Sequence, residues 1–282
     1  MAQLAHSVPE NVPGDFWVDS SCIDCDACRQ IAPSVFADAG SHSFVTKQPA
    51  SGEERSRALM ALVACPTASI GTHDKKGTRE AMERFPEVVS EDVSFCGFCS
   101  ESSFGASSYF IRRGGGNVLV DSPRAAEPLM KKLAELGGVS KLFLTHRDDV
   151  ADEERFHERF GCERIMHEAD SFLGVERVIR GREPVTIAPD LTVIPAPGHT
   201  RGSACLLYRN KFLFTGDHLW ADEAGELAMG RGVCWYSWSE QVESLRRLLD
   251  FEFEWVLPGH MRRYASPSMR ADIEKLLAKL RK

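Results

Sequence analysis

The chain has 282 residues and a formal net charge of −7, enough for one large domain or a small domain joined to a medium one. That charge excludes a general affinity for nucleic-acid backbones, which needs a basic surface to displace counterions. No run of apolar residues is long enough to span a bilayer, and the opening "MAQLAHSVPENVPGDF" lacks the apolar core of a secretory signal. A cytoplasmic protein with no membrane partner is expected, in which nine cysteines serve as thiols and metal ligands rather than as a disulfide framework.

The first element of note is "CIDCDACRQIAP", which sets Cys22, Cys25 and Cys28 at two-residue intervals, followed at a distance by Cys65 and Pro66 in "ACPTASI". Short loops of this spacing turn three thiolates around one corner of a cuboidal cluster, and the distant fourth closes it. Zinc more often uses two short pairs. The stretch from Gly14 to Gly71 resembles a bacterial-type ferredoxin. Two-cluster members of that family carry a further cysteine where this chain has Ala32, so the resemblance implies an α+β domain with a single 4Fe-4S centre on Cys22, Cys25, Cys28 and Cys65. Its expected role is one-electron transfer or stabilisation of the fold.

Residues 72–92, "THDKKGTREAMERFPEVVSED", are rich in charge and poor in aromatic residues, and are expected to form a solvated, partly helical connector. Just after them, Cys96 and Cys99 form a CxxC with no second pair, which points to structural thiols before a redox or metal pair. "SSYFI" and "NVLVDS" then flank the turn "RRGGG" as a hairpin, and "KLFLTH", "LTVIPAPGH", "ACLLYRN" and "KFLFTGD" have the patterning of further strands. Helical patterns cover Glu127 to Leu136, Asp152 to Phe160, Glu240 to Leu249 and Pro267 to Leu280, the last with Ser266 as a candidate cap. The chain is expected to be α/β, with its motifs where strands end.

Four strand ends carry metal-ligand side chains: His146 in "LFLTHRDD", His199 in "PAPGHTRGS", Asp217 in "LFTGDHLW" and His260 in "VLPGHMRR". Glycines beside the last three permit sharp turns that aim each side chain into a shared cleft, and imidazole with carboxylate suits zinc, manganese or iron. In this order the segments resemble the metallo-β-lactamase superfamily over residues 93–282. The resemblance implies a four-layer αββα sandwich with one or two divalent metals at one edge, Asp217 bridging them.

That family's first motif is His-x-His-x-Asp-His, and this chain departs from it. Aligned on His146, Asp148 replaces the second histidine, and Asp149 stands one residue before the usual aspartate position. Asp152 stands two residues beyond it, either reaching the cleft through a longer loop or capping the helix that comes next. The expected metal ligands are therefore His146, Asp148, Asp152, His199, Asp217 and His260, with Asp149 and Asp152 as candidate catalytic carboxylates. His157, His167 and His218 are expected to be helix-surface residues or to lie behind the ligands. Trp235, Tyr236 and Trp238 either line a substrate pocket or pack in the core.

The two resemblances imply three alternative functions. The foremost is a metal-dependent hydrolase of a thioester, lactone or phosphoester, with a small-molecule substrate. A second is an oxidoreductase in which the cluster, supplied by a redox partner protein, feeds a non-haem iron site. It is suggested by the acidic residue at 148, which resembles the diiron flavodiiron proteins. The third is a non-catalytic iron-sulfur electron-transfer or sensor protein.

Overall fold

A computed structural model describes residues 1–280 of the chain. They pack as two compact units, one formed by residues 1–140 and 151–161, the other by residues 141–150 and those from 162 onward. None of the described helices is long and apolar enough to cross a membrane.

The first unit opens with short elements held by side chains. Strand Phe16–Val18 pairs antiparallel with Ile70–Thr72, and Phe36–Asp38 with Ser43–Val45. Between them, helix Ala27–Ile31 carries Cys28, and helix Gly52–Ala64 ends at Cys65. Ser51 caps the longer helix: its hydroxyl accepts the Glu54 N–H at 3.1 Å, satisfying one of the otherwise unpaired first-turn donors. It buries Ala58, Leu59, Met60, Val63 and Ala64, at about 1.5–3 kcal/mol for each large apolar side chain.

The charged stretch 72–92 is ordered as helix Thr78–Glu83 and strand Glu87–Ser90. That strand begins an antiparallel series with Val93–Phe95, Tyr109–Ile111 and Val118–Val120. The hairpin expected around "RRGGG" is present, with Ile111 facing Val118. Ion pairs Arg57–Glu87 and Arg84–Glu53, and a 3.1 Å hydrogen bond from Arg124 Nη2 to the Val63 carbonyl, fasten helix Gly52–Ala64 to the helix, strands and loop of residues 84–124.

In the second unit, strands Lys141–Phe143, Glu163–His167 and Arg177–Ile179 run parallel. A six-stranded sheet contains Val185–Ala188, Leu191–Pro195, Ala204–Tyr208, Phe212–Gly216, Trp255–Pro258 and Tyr264–Ala265, in that order. Its pairs are antiparallel except Phe212–Gly216 with Trp255–Pro258, which are parallel. The turn closed by the Lys211 N–H donating to the Tyr208 carbonyl at 3.0 Å has Arg209 and Asn210 both in the left-handed region, the twist that suits a hairpin turn. Helices Trp238–Arg247 and Met269–Leu280 cover one face, placing Leu245, Ile273 and Leu277 over Leu207, Leu213 and Val256. The first of these helices begins two residues earlier than its apolar pattern suggests because Ser237 caps it, accepting the Glu240 N–H. Ser266 instead accepts the Ser268 N–H at 3.0 Å, and the last helix starts at Met269.

Arg164 clamps Glu176 with two side-chain hydrogen bonds, at 3.1 and 2.8 Å, and its own N–H adds a third at 2.8 Å. These bonds hold the Glu176 carboxyl down at about 2. A depressed folded-state pKa gives stability that is present above the unfolded value and lost as pH falls through the folded one. Glu176→Gln should therefore cost about 1 kcal/mol at pH 7, modest because the pair is partly solvated. In urea unfolding the gap from the parent should close as pH falls from about 4 toward 2.

Candidate metal centre

The ligand segments converge because each strand or turn end leaves the sheet at a position where little space is occupied. Gly216, at φ +49°, admits the Thr145 and His146 side chains: a Cβ there would meet Thr145 Oγ1 at 2.5 Å and His146 Nδ1 at 3.1 Å. At Gly259 a Cβ would lie 2.3 Å from Asp149 Oδ2 and 3.1 Å from Asp217 Oδ1. The missing side chain at 259 is what allows these two carboxylates to share one space.

His146 is the residue before a 3-10 turn, Arg147–Asp149. With three residues per turn, positions i and i+3 eclipse, so Asp149 returns to the face that His146 occupies. His146 Nε2 stands 3.9 Å from Asp149 Oδ1 and 3.9 Å from Asp217 Oδ2. His199 Nε2 is 3.3 Å from Asp148 Oδ2 and 3.7 Å from Asp217 Oδ2, and His260 Nε2 is 3.4 Å from Asp149 Oδ1 and 3.9 Å from Asp217 Oδ2. Most of these separations are too long for hydrogen bonds. They approximate the distance of about 3.4 Å between neighbouring ligands on a tetrahedral ion bound at about 2.1 Å.

Two overlapping triads, His146, Asp148 and His199, and His146, Asp149 and Asp217, bring their ligand atoms within 4.8 Å of one another. Asp217 Oδ2 lies within 3.9 Å of all three Nε2 atoms, the position of a bridge. Both Asp149 oxygens, His199 Nε2 and Asp217 Oδ1 are buried and make no hydrogen bond among the described residues. Orphaned groups of this kind are costly unless a cation satisfies them, so the donor set fits divalent metal.

Electrostatics agree. Burial opposes charge on Asp149, but the neighbouring His146 and His260 outweigh it and hold the carboxyl below its ordinary value. Burial, followed by the charge of Asp149, pushes the Asp217 carboxyl up, and burial followed by His146 pushes His199 down. The histidine is thus kept neutral, as a ligand must be. Its tautomer is fixed: Nδ1–H donates to the Val233 carbonyl at 2.5 Å, leaving Nε2 for the site.

Asp152, expected among the ligands and catalytic carboxylates, is engaged elsewhere: its Oδ2 accepts the Ala125 N–H at 2.8 Å. It precedes helix Glu153–Phe160 but makes no side-chain cap bond there. The structure thus brings together His146, Asp148, Asp149, His199, Asp217 and His260, while the Asp152 carboxylate is occupied by the Ala125 N–H. His167 is structural, its Nε2–H donating to Gly181 O at 2.9 Å and its Nδ1 accepting the Ala169 N–H. His218 is fully enclosed, and burial, then His199, lowers its pKa to about 3. Trp235 and Tyr236 are not core residues: they are 63% and 46% exposed.

Asp170 had no motif to announce it. It is buried, and its Oδ2 accepts the Arg147 N–H at 3.2 Å and the Thr200 hydroxyl at 2.5 Å, while Oδ1 accepts the Gly202 N–H at 2.9 Å. One carboxylate therefore ties the His146 turn to the His199 loop.

The four N-terminal cysteines line one small cavity with Val18 and Ile23. Asp24 and Asp26, both in the left-handed region, turn the chain between them. The N–H groups of Ser43 and Ser69 point at Cys22 Sγ (3.4 Å) and Cys65 Sγ (3.3 Å). Burial pushes the Cys25 thiol up to about 12 and raises Cys28 as well, so free thiolates are disfavoured and a cluster that supplies positive iron fits the pocket. Cys96 and Cys99 are wholly buried, and burial raises both thiols, which makes them inert packing residues in the folded chain.

Residues 18–72 match the family described as the 4Fe-4S single cluster domain of Ferredoxin I. A hydroxyacylglutathione hydrolase from Synechococcus sp. (strain JA-2-3B'a(2-13)) is 34% identical over 119 residues, which cover 39% of this chain and 47% of that protein. The chain thus spans about half the length of this curated relative. Among solved structures, the DIM-1 metallo-beta-lactamase matches with a TM-score of 0.52 at 16% identity, over 69% of this chain and 96% of its own. The BLEG-1 B3 metallo-beta-lactamase matches with a TM-score of 0.50 at 18% identity, over 61% and 93%. The chain carries a single-cluster ferredoxin domain and a metallo-β-lactamase fold, the α/β architecture its motifs imply. At such identities the structural likeness concerns architecture and leaves the chemistry to the residues of the site.

Proposed function

We propose that this chain, a single-cluster ferredoxin domain joined to a metallo-β-lactamase fold, is a metal-dependent hydrolase acting on a thioester. The observation that carries the reading is the convergence of three histidines, Asp148 and Asp149 with Asp217, whose Oδ2 lies within 3.9 Å of all three Nε2 atoms. The similarity to a hydroxyacylglutathione hydrolase selects the thioester among the bonds that such a site can cleave.

His146, Asp148 and His199 would hold one ion, Asp149 and His260 the second, with Asp217 between them. Divalent cations there would lower the pKa of water to near neutrality and polarise the acyl oxygen under attack. The protein's own contribution is orientation. Val233 O fixes the His199 ring, Gly259 leaves room for two carboxylates, and Asp170 locks the two loops that carry ligands. Asp148 is the most solvated of the three aspartates, with a side chain 32% exposed, so the open side of the centre lies toward it.

The carboxylate at 148 favours a second reading. Three oxygen donors among six suit iron or manganese better than an all-histidine first set would, and a tethered cluster would raise the local concentration of an electron donor. Anaerobic purification followed by elemental analysis and EPR separates the two. The hydrolase reading expects zinc or manganese beyond the cluster iron, with thioester hydrolysis lost on chelation and restored by adding back that metal. Iron alone, with a redox-active spectrum and no hydrolysis, would overturn it in favour of the oxidoreductase.

A further inference from the structure

The loop that fixes His199 also presents a binding surface. Between Val233 and Ser237 the backbone is strapped to the ligand loop: His199 Nδ1–H donates to Val233 O, the N–H groups of Trp235 and Tyr236 donate to His199 O at 2.9 and 3.0 Å, and that of Ser237 donates to Gly198 O at 3.0 Å. These bonds hold the exposed indole of Trp235 beside the ligand, with ring centroids 6.2 Å apart. The next residue, Tyr236, lines a cavity of about 400 Å³ with Pro197, Arg201, Arg182 and His167, a size ordinary for small-ligand sites.

The charges in that cavity do not cancel. Arg182 is taken by a bidentate pair with Glu240, at 2.7 and 3.0 Å. Glu168 accepts the Gly181 N–H at 3.0 Å and faces Arg180 at 3.5 Å, and both ring nitrogens of His167 are engaged with backbone groups. Arg201, two residues beyond His199, is exposed and has no ion-pair or hydrogen-bond partner among the described residues. One uncompensated guanidinium matches one carboxylate in a planar, two-point pairing.

We propose that this cavity and the adjacent indole select the substrate: a thioester that bears a carboxylate, paired with Arg201, and a flat apolar group, laid on Trp235. For the bond that is cleaved, the proposal rests on the hydrolase reading. For the ligand that is bound, it does not.

Four probes test it: the benzoyl and acetyl thioesters of 3-mercaptopropionate, which is anionic, and of N-acetylcysteamine, which is neutral. Arg201→Ala should raise KM about tenfold for the two mercaptopropionate thioesters and leave the other two within about twofold, with Arg201→Lys recovering part of the loss. Trp235→Ala should raise KM several-fold, roughly, for the benzoyl pair alone. Neither substitution should move kcat or metal content. Equal KM shifts across all four probes, or none, overturn the proposal and keep the hydrolase. Calorimetric binding of the uncleavable S-benzyl-3-mercaptopropionate to the metal-loaded full chain makes the two failures distinguishable. Binding that either variant weakens, with no probe hydrolysed, upholds the surface and refutes thioester cleavage. Absence of both binding and hydrolysis overturns the proposal.

Discussion

Asp149→Ala is expected to remove about one metal equivalent and to lower kcat/KM for thioester hydrolysis on the order of 10³-fold, whereas Asp152→Ala should stay within about threefold of the parent. The two aspartates lie three residues apart in one acidic stretch, and only geometry separates them. Asp149 Oδ1 is 3.4 Å from His260 Nε2 and 3.9 Å from His146 Nε2, and both its oxygens are buried without hydrogen bonds among the described residues. Removing it leaves His260 without its nearest anionic neighbour in the site, so the second ion loses a ligand and its charge balance together. Asp152 holds the Ala125 N–H, and its loss should appear as a small change in stability. Metal stoichiometry and kinetics measured on both variants decide the matter. A larger loss from Asp152→Ala than from Asp149→Ala would mean that the 3-10 turn does not set the ligand register.

That register shows how far sequence alone reaches. The four strand-end candidates were legible because histidine or aspartate at the end of an apolar run, beside glycine in three of the four, has few other uses, and the structure sets their side chains around one point. The acidic loop was not, because matching positions to His-x-His-x-Asp-His assumes the usual loop length. A one-residue shorter path through a 3-10 turn brings Asp149 to the same side as His146. Asp170 was invisible for a different reason. Its role is to join two loops that lie 23 residues before it and 30 residues after it in sequence, and no local pattern encodes bonds of that range. The aromatic trio was ambiguous since burial depends on what packs over a loop. Strapping that loop to the His199 carbonyl fixes its backbone and leaves Trp235 outside. The cysteine module was the most legible part, because the ligand spacing itself determines the geometry of a cuboidal cluster.

Cys28→Ser should abolish the visible absorption of the cluster and destabilise the first unit by at least about 3 kcal/mol. The elements around the cysteines are too short to stand alone: the strands have three residues each and helix Ala27–Ile31 has five. Three thiols and a hydroxyl in one cavity, without iron, would leave an under-filled site with poorly solvated sulfur. The loss should spread beyond the module. Helix Gly52–Ala64 ends on Cys65, its Ala64 carbonyl accepts the Cys99 N–H at 3.1 Å, and Gly105 rests against Cys25, where a Cβ would lie 2.5 Å from the cysteine's own Cβ. Arg57, Arg84 and Arg124 carry the same connection to the neighbouring strands of the first unit. In the full chain, held anaerobically, Cys96 and Cys99 should therefore pass from unreactive to titratable with a thiol reagent, and the amides of residues 93–99 should exchange faster. If the cluster is lost while these thiols stay protected and the unfolding midpoint holds, the cluster is a passenger on a self-sufficient fold and its contribution is electron transfer alone.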